Sequence, residues 1–217
     1  DNRKVPKLKY NLVRRLVEDY PELTFSLNGG VNTIPEARNE LDQCEGKMNG
    51  VMIGRAWAAN PWSFAMADDL LYDNDGDSDV TNRPKNRLEI LQAYGRHADA
   101  EEELWDPVKI RRFIIKAVTP LFAGESRGKK YRIALDEIAR IPKMLGAQGK
   151  TMEGQPPVSE LIMNAALDNI SEEILLRSPK ESYERLYGDG GSSSQIISDW
   201  QKDRKNESGP SDYSKVV

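Results

Sequence analysis

Between Tyr10 and Tyr20, apolar residues pair four positions apart, Leu12 with Leu16 and Val13 with Val17, with charged residues between them. That spacing predicts an amphipathic helix, and Pro21 closes it. Leu23 to Leu27 is a short run rich in strand formers, ended by Asn28-Gly29-Gly30. Thr33, Pro35 and Glu36 form a helix-start signature, and that helix is expected to reach about Cys44. Gly50 to Gly54 has the pattern of a second buried strand, and Asn60-Pro61 opens a further helix containing Trp62, Ala65, Met66, Asp69 and Leu70. Strands alternating with helices of this length imply parallel pairing through crossovers. Two parallel strands need neighbours to bury both their faces. The expectation is therefore the end of a larger α/β domain whose earlier strands are absent.

The pattern changes after residue 72. Residues 73–83 are predicted to be an acidic insertion loop. Asp73, Asp75 and Asp77 have the spacing of a calcium loop, but Ser78 stands where glycine is needed and Pro84 where glutamate is needed. Residues 84–145 are helical in pattern: Leu88, Leu91 and Tyr94 mark one helix, Ile110, Ile114, Ala117 and Leu121 a second, and Tyr131, Leu135 and Ile138 a third. A Gly/Gln/Pro-rich linker at 146–157 precedes a helical extension at 158–187, and residues 188–217 have the composition of a disordered tail.

Composition narrows the chemistry. The 217 residues include one cysteine, Cys44, and one histidine, His97. An internal disulfide framework and a Cys/His-built metal site are thereby excluded, and no metal is expected. No apolar run approaches the roughly 18 residues of a membrane span. The net charge of −4 excludes a uniformly basic coat but not a local basic patch.

Two groups of residues remain. Asn28, Gly29 and Gly30, and Gly54 with Arg55, each follow a predicted parallel strand and precede a helix. Glycines at strand ends let backbone N–H groups approach an anion, and a guanidinium is suited to phosphate oxygens. The alternative is that these glycines only make tight turns. The second group runs from Lys109 to Arg132: Lys109, Arg111, Arg112, Lys116, Arg127, Lys129, Lys130 and Arg132, against the single acid Glu125. Lys109, Arg112 and Lys116 share a helix face, a footprint suited to nucleic acid. The alternative is a solvated face balancing the acids of residues 99–106. No nucleophile is paired with a general base, so no catalytic residue is assigned.

Several segments, taken in order, resemble tRNA-dihydrouridine synthases, specifically the DusA type. They are Asn2-Arg3-Lys4-Val5-Pro6-Lys7-Leu8, Tyr20-Pro21-Glu22-Leu23, Leu27 to Val31, Gly50 to Ala56 with Asn60-Pro61, Ile115 to Glu125, and Lys130-Tyr131-Arg132. The resemblance covers roughly residues 1–140, and 158–175 more loosely. It implies the C-terminal part of a TIM (β/α)8 barrel followed by an all-α helical domain. It further implies FMN as cofactor, NADPH as reductant, and tRNA uridine as substrate. The family's FMN-phosphate contacts map onto Asn28, Gly29, Gly30, Gly54 and Arg55, and its helical domain grips tRNA. The family's catalytic cysteine and its flavin-contacting lysine and histidine belong to earlier strands. Cys44 does not correspond to that cysteine, Pro6-Lys7 replaces a Pro-Pro, and the acidic insertion is extra. The expectation is thus the last two barrel units plus the helical domain, inactive alone and needing the missing N-terminal barrel half. The alternatives are a truncated paralogue that only binds RNA and another FMN-dependent barrel dehydrogenase. The expected compartment is the cytoplasm, with an organelle as the alternative.

Overall fold

The computed structural model of the chain describes residues 8–71 and 83–188. The acidic stretch 73–82, the tail from 189 and the motif residues 2–7 lie outside the described residues. The chain divides into two compact units. One holds the described residues 8–57, 66–71 and 183–188, the other 58–65 and 83–182. Pro61–Phe64 falls with the helical residues of the second unit.

The first unit begins with α1, Tyr10–Asp19, which buries Tyr10 and Val17 two turns apart. β1 (Ser26–Asn28) and β2 (Gly50–Met52) pair in parallel, Ser26 with Gly50, Leu27 with Val51 and Asn28 with Met52. The strand pattern from Leu23 shortens to three residues because the Leu23 N–H is bonded to the Tyr20 carbonyl in a turn. Between the strands runs α2, Ile34–Gln43. Its start follows the sequence signature: the Thr33 hydroxyl accepts the Glu36 N–H at 3.2 Å, and the Glu36 carboxylate accepts the Asn32 N–H at 2.6 Å. Leu27, Val31, Ala37, Cys44 and Met48 close the core against α1. Glu40, fully buried, is paired there with Arg14 through one carboxylate oxygen.

The helix expected at Asn60-Pro61 is divided. α3 (Arg55–Ala59) begins straight after the second strand end. Proline disfavours helical geometry in the residue before it, so α3 stops before Asn60-Pro61. A 3₁₀ turn, Pro61–Phe64, follows, and then α4, Ala67–Leu71.

The second unit is built from helices. They are α5 (Arg87–Leu104), α6 (Pro107–Val118), α7 (Gly128–Ala147), α8 (Val158–Asn169) and α9 (Glu172–Leu176); α10, Pro179–Tyr187, begins in this unit, and its residues from Tyr183 belong to the first. Leu91, Ile114, Ile115, Phe122, Tyr131, Leu135, Val158 and Ile162 share one core. The segment expected as an extension beyond a linker therefore contributes to the same core as α5 and α7. Gly95 allows this approach, since a Cβ there would stand 2.9 Å from the Ser159 Cβ. One turn further along α5, Asp99 accepts the Ser159 N–H at 2.9 Å and its hydroxyl, capping the start of α8.

A buried ionic network ties these elements together. Arg87, 1% exposed, lies 5.2 Å from the ring centroids of both Trp62 and Phe122 and donates to Glu125 at 2.7 Å. Arg177 donates to both Glu125 oxygens at 3.0 and 3.1 Å and to Glu173 at 3.0 Å. Trp62 is held in turn by donating its indole N–H to the Ser182 hydroxyl at 2.7 Å.

Burial alone would raise the Glu125 carboxyl, but the guanidinium groups of Arg87 and Arg177 outweigh it and hold the carboxyl below its usual value. In the native state it stays ionised to lower pH than in the unfolded chain. Its contribution to stability is therefore present above about pH 4.5 and is lost as pH falls through the lower native value. Glu125→Gln leaves two guanidinium groups facing a neutral amide and is expected to cost about 2–3 kcal/mol at pH 7. Urea unfolding of both proteins between pH 3 and 7 checks this. The difference between them should shrink on acidification, and a constant difference would assign the effect to packing.

Candidate functional site

The ladder puts both strand-end motifs on one edge of the first unit. Asn28 and Met52 are the last paired residues of β1 and β2, so Gly29-Gly30 and Gly54-Arg55 leave the C-terminal ends of adjacent parallel strands, about 4.8 Å apart in such a ladder. Gly29 has φ 114° and Gly30 φ 73°, a backbone region that disfavours side chains. Their carbonyls are occupied: Gly29 accepts the Tyr10 hydroxyl and Gly30 accepts the Asn32 side-chain amide at 2.8 Å. Conformation therefore requires glycine at the first strand end. Gly54 differs, with no positive φ and only an ordinary contact to Met52 for an added Cβ. Arg55 is exposed at the start of α3 and makes no ion pair with any described residue. The edge thus offers a turn without side chains beside an unneutralised guanidinium, an arrangement that can take a phosphate-sized anion.

The basic stretch divides in the structure. Lys109, Arg112 and Lys116 are exposed along α6. Arg111 is a correction: it is 1% exposed and its fork closes on both oxygens of Glu102 from α5. The signal was present in the sequence, because Arg111 stands three, four and seven residues before Ile114, Ile115 and Val118, the buried face of the helix. Arg127 has a left-handed φ of 60° and donates to the Asp168 carbonyl at 3.1 Å, near the C-terminus of α8, where a cation complements the helix dipole. Lys129, Lys130 and Arg132 are exposed in the first turns of α7. Cations are disfavoured there by up to about 1 kcal/mol each, so the helix gains nothing from them.

Four of the acids near this surface are otherwise engaged. Asp99 caps α8, Glu102 holds Arg111, Asp106 accepts the Val108 N–H at 2.9 Å to cap α6, and Glu125 belongs to the buried network. Sequence reasoning missed Arg140 and Lys143 on α7. They face Arg112 and Lys116 of α6 across a groove of about 540 Å³, whose lining also includes Val108, Ile115, Thr119, Asp136 and Ala139. The two pairs are far apart in sequence, and only the packing of α6 on α7 joins them. Among the described residues no group of three or more acids, His or Cys could hold a metal ion, and no helix is long and apolar enough to cross a membrane.

Cys44 caps the far end of α2. The strand-end glycines precede the start of this ten-residue helix, so its thiol sits about 15 Å along the helix axis from them. Burial pushes the thiol pKa up, Arg14 opposes this, and Glu40 and Glu18 add to it. A buried, protonated thiol is inert. Ellman's reagent at pH 8 should therefore react with Cys44 at least tenfold more slowly in the native chain than in urea. Equal rates would show that the core described around α2 is open.

Residues 1–151 match the family model described as dihydrouridine synthase (Dus). The chain is 39% identical over 139 residues to a protein of Escherichia coli (strain K12) named tRNA-dihydrouridine(20/20a) synthase, a match covering 64% of this chain and 36% of that one. Proteins of the same name from Shigella flexneri and Synechocystis are 32% identical over 139 residues and 30% identical over 137. The matched region spans 37% of the length of each of those two relatives and 64% and 63% of this chain. With the model matched over most of its length, the chain belongs to the dihydrouridine synthase family.

Proposed function

We propose that the chain is the C-terminal part of a DusA-type tRNA-dihydrouridine synthase, an FMN-dependent, NADPH-linked oxidoreductase that reduces uridine in tRNA. The observation that carries this reading is the shared strand edge, with Asn28-Gly29-Gly30 and Gly54-Arg55 side by side in a chain of this family. In barrels the phosphate of a cofactor is commonly held by the loops after the last two strands. The residues present fit that group: two glycines of positive φ admit phosphate oxygens, and Arg55, which pairs with no other described residue, would neutralise them. When bound, the reduced flavin supplies the hydride that saturates the uracil double bond.

The chain's own residues anchor and orient; they do not transfer protons. Cys44 is buried at the opposite end of α2 and cannot serve as a proton donor at this edge. The catalytic acid and the rest of the flavin pocket then belong to an N-terminal barrel half. The exposed cations of α6 and of the α7 start, Lys109, Arg112, Lys116, Lys129, Lys130 and Arg132, are proposed to contact tRNA phosphates, with Arg127 beside them and Arg111 excluded. The base must leave its stack to meet a flavin, so the RNA has to be held firmly while it does.

A second reading, a non-catalytic RNA-binding paralogue, draws support from the helical unit having a closed core of its own. The family match argues against another FMN-dependent barrel dehydrogenase. The proposed compartment is the cytoplasm.

Two measurements test the main reading. This chain alone, given FMN, NADPH and unmodified tRNA, is expected to form no dihydrouridine, whereas a polypeptide also carrying a complete N-terminal barrel half should form it. Activity of the short chain would refute the division of labour proposed here. In the longer polypeptide, Arg55→Ala should weaken FMN binding roughly 10- to 100-fold, the value of a charge-assisted hydrogen bond. Flavin fluorescence titration reads this directly, and unchanged affinity would remove Arg55 from the site.

A further inference from the structure

The groove between α6 and α7 combines two surface chemistries. Its lining includes four cations, Arg112 and Lys116 from α6 and Arg140 and Lys143 from α7, with Asp136 as the one acid. None of the four cations makes an ion pair or hydrogen bond with another described residue. The remaining lining is mostly apolar: Val108, Ile115 and Ala139. Val108 is 53% exposed, and Trp105, three residues before it, is 62% exposed. The Thr119 hydroxyl at the other end of α6 is already donated to the Ile115 carbonyl at 2.8 Å.

A duplex backbone would satisfy the cations but leave the apolar floor uncovered. An inorganic anion would do the same. A nucleotide whose base has left its stack presents both parts, a planar apolar face and flanking phosphates. The groove volume, about 540 Å³, lies within the range for sites that enclose molecules of that size. From this matching of charge and apolar surface we infer that the α6–α7 groove receives one unpaired nucleotide of the tRNA. Its base lies on Val108, Ile115 and Ala139, and its phosphates lie between Arg112 and Lys116 on one side and Arg140 and Lys143 on the other. The inference rests on tRNA being the partner, as proposed above. It adds a point where the RNA is gripped by an unstacked residue rather than by charge alone.

The test is tRNA binding by this chain, followed by fluorescence anisotropy at several salt concentrations. Arg140→Ala with Lys143→Ala should lower affinity at least tenfold and reduce the slope of log affinity against log salt by about 1.4–1.8, the value of two lost phosphate contacts. Ala139→Trp fills the floor and keeps every charge. It should lower affinity about tenfold with the salt slope unchanged. On the unaltered chain, AMP should displace tRNA at a concentration at least threefold lower than ribose 5-phosphate does. This arm does not depend on any variant folding.

Equal displacement by AMP and ribose 5-phosphate would show that no base enters the groove, and would overturn the inference. Wild-type affinity in the Arg140/Lys143 variant would do the same while leaving the tRNA reading intact, provided that removal of Lys109, Arg112 and Lys116 together still weakens binding. Absence of any tRNA binding by the unaltered chain would overturn both readings at once.

Discussion

Glu125 takes hydrogen bonds from two guanidinium groups at once, Arg87 from the start of α5 and Arg177 from the end of α9. A buried cation without a partner is strongly destabilising, so the three groups stand or fall together. Arg87 also lies against the rings of Trp62 and Phe122, which sets the place of the Pro61–Phe64 turn and of the turn before α7. Gly128 follows from the same packing, because a Cβ there would meet the Phe122 carbonyl at 2.3 Å. The motif Leu121 to Glu125, which resembles a family segment, thereby forms a structural joint. The basic surface depends on it, since α6 and α7 are the helices that flank this joint.

The network also changes the electrostatics of the surface. Glu125 is the single acid among eight cations in the stretch from Lys109 to Arg132. Its charge is spent internally on Arg87 and Arg177, and Arg111 is likewise neutralised by Glu102. The remaining exposed cations have no acid assigned to them among the described pairs. What the charge count suggested is therefore sharpened: fewer cations face outward, and those that do are open to solvent ions or to a bound polyanion.

In the α/β unit the constraint is conformational. Two successive positive-φ glycines end β1, and the Tyr10 hydroxyl and the Asn32 amide fix their carbonyls. The turn is thus built by α1 and by the entry to α2, while Arg55 comes from the neighbouring strand end. The proposed phosphate contacts depend on a ladder of only three residue pairs, which is why the register Asn28 with Met52 matters more than any single side chain.

Local signals determined much of this. The caps at Thr33 and Asp106, the Pro21 stop and the helix periods follow from residues within a turn or two of one another, and the parallel order of the strands from the short alternation of strand, helix and strand. The strand-end motifs and the family resemblance were legible for the same reason, being contiguous. Helix periodicity also places Arg111 on the buried face, by its spacing to Ile114, Ile115 and Val118. Tertiary structure alone decided the rest. It showed that Glu125 serves Arg87 and Arg177, 38 and 52 residues away, that Asp99 caps a helix 60 residues on, and that Arg140 and Lys143 stand across a groove from Arg112 and Lys116. Such pairings depend on which helix faces meet, and that choice is made by the packing of the whole core, which no local sequence window contains.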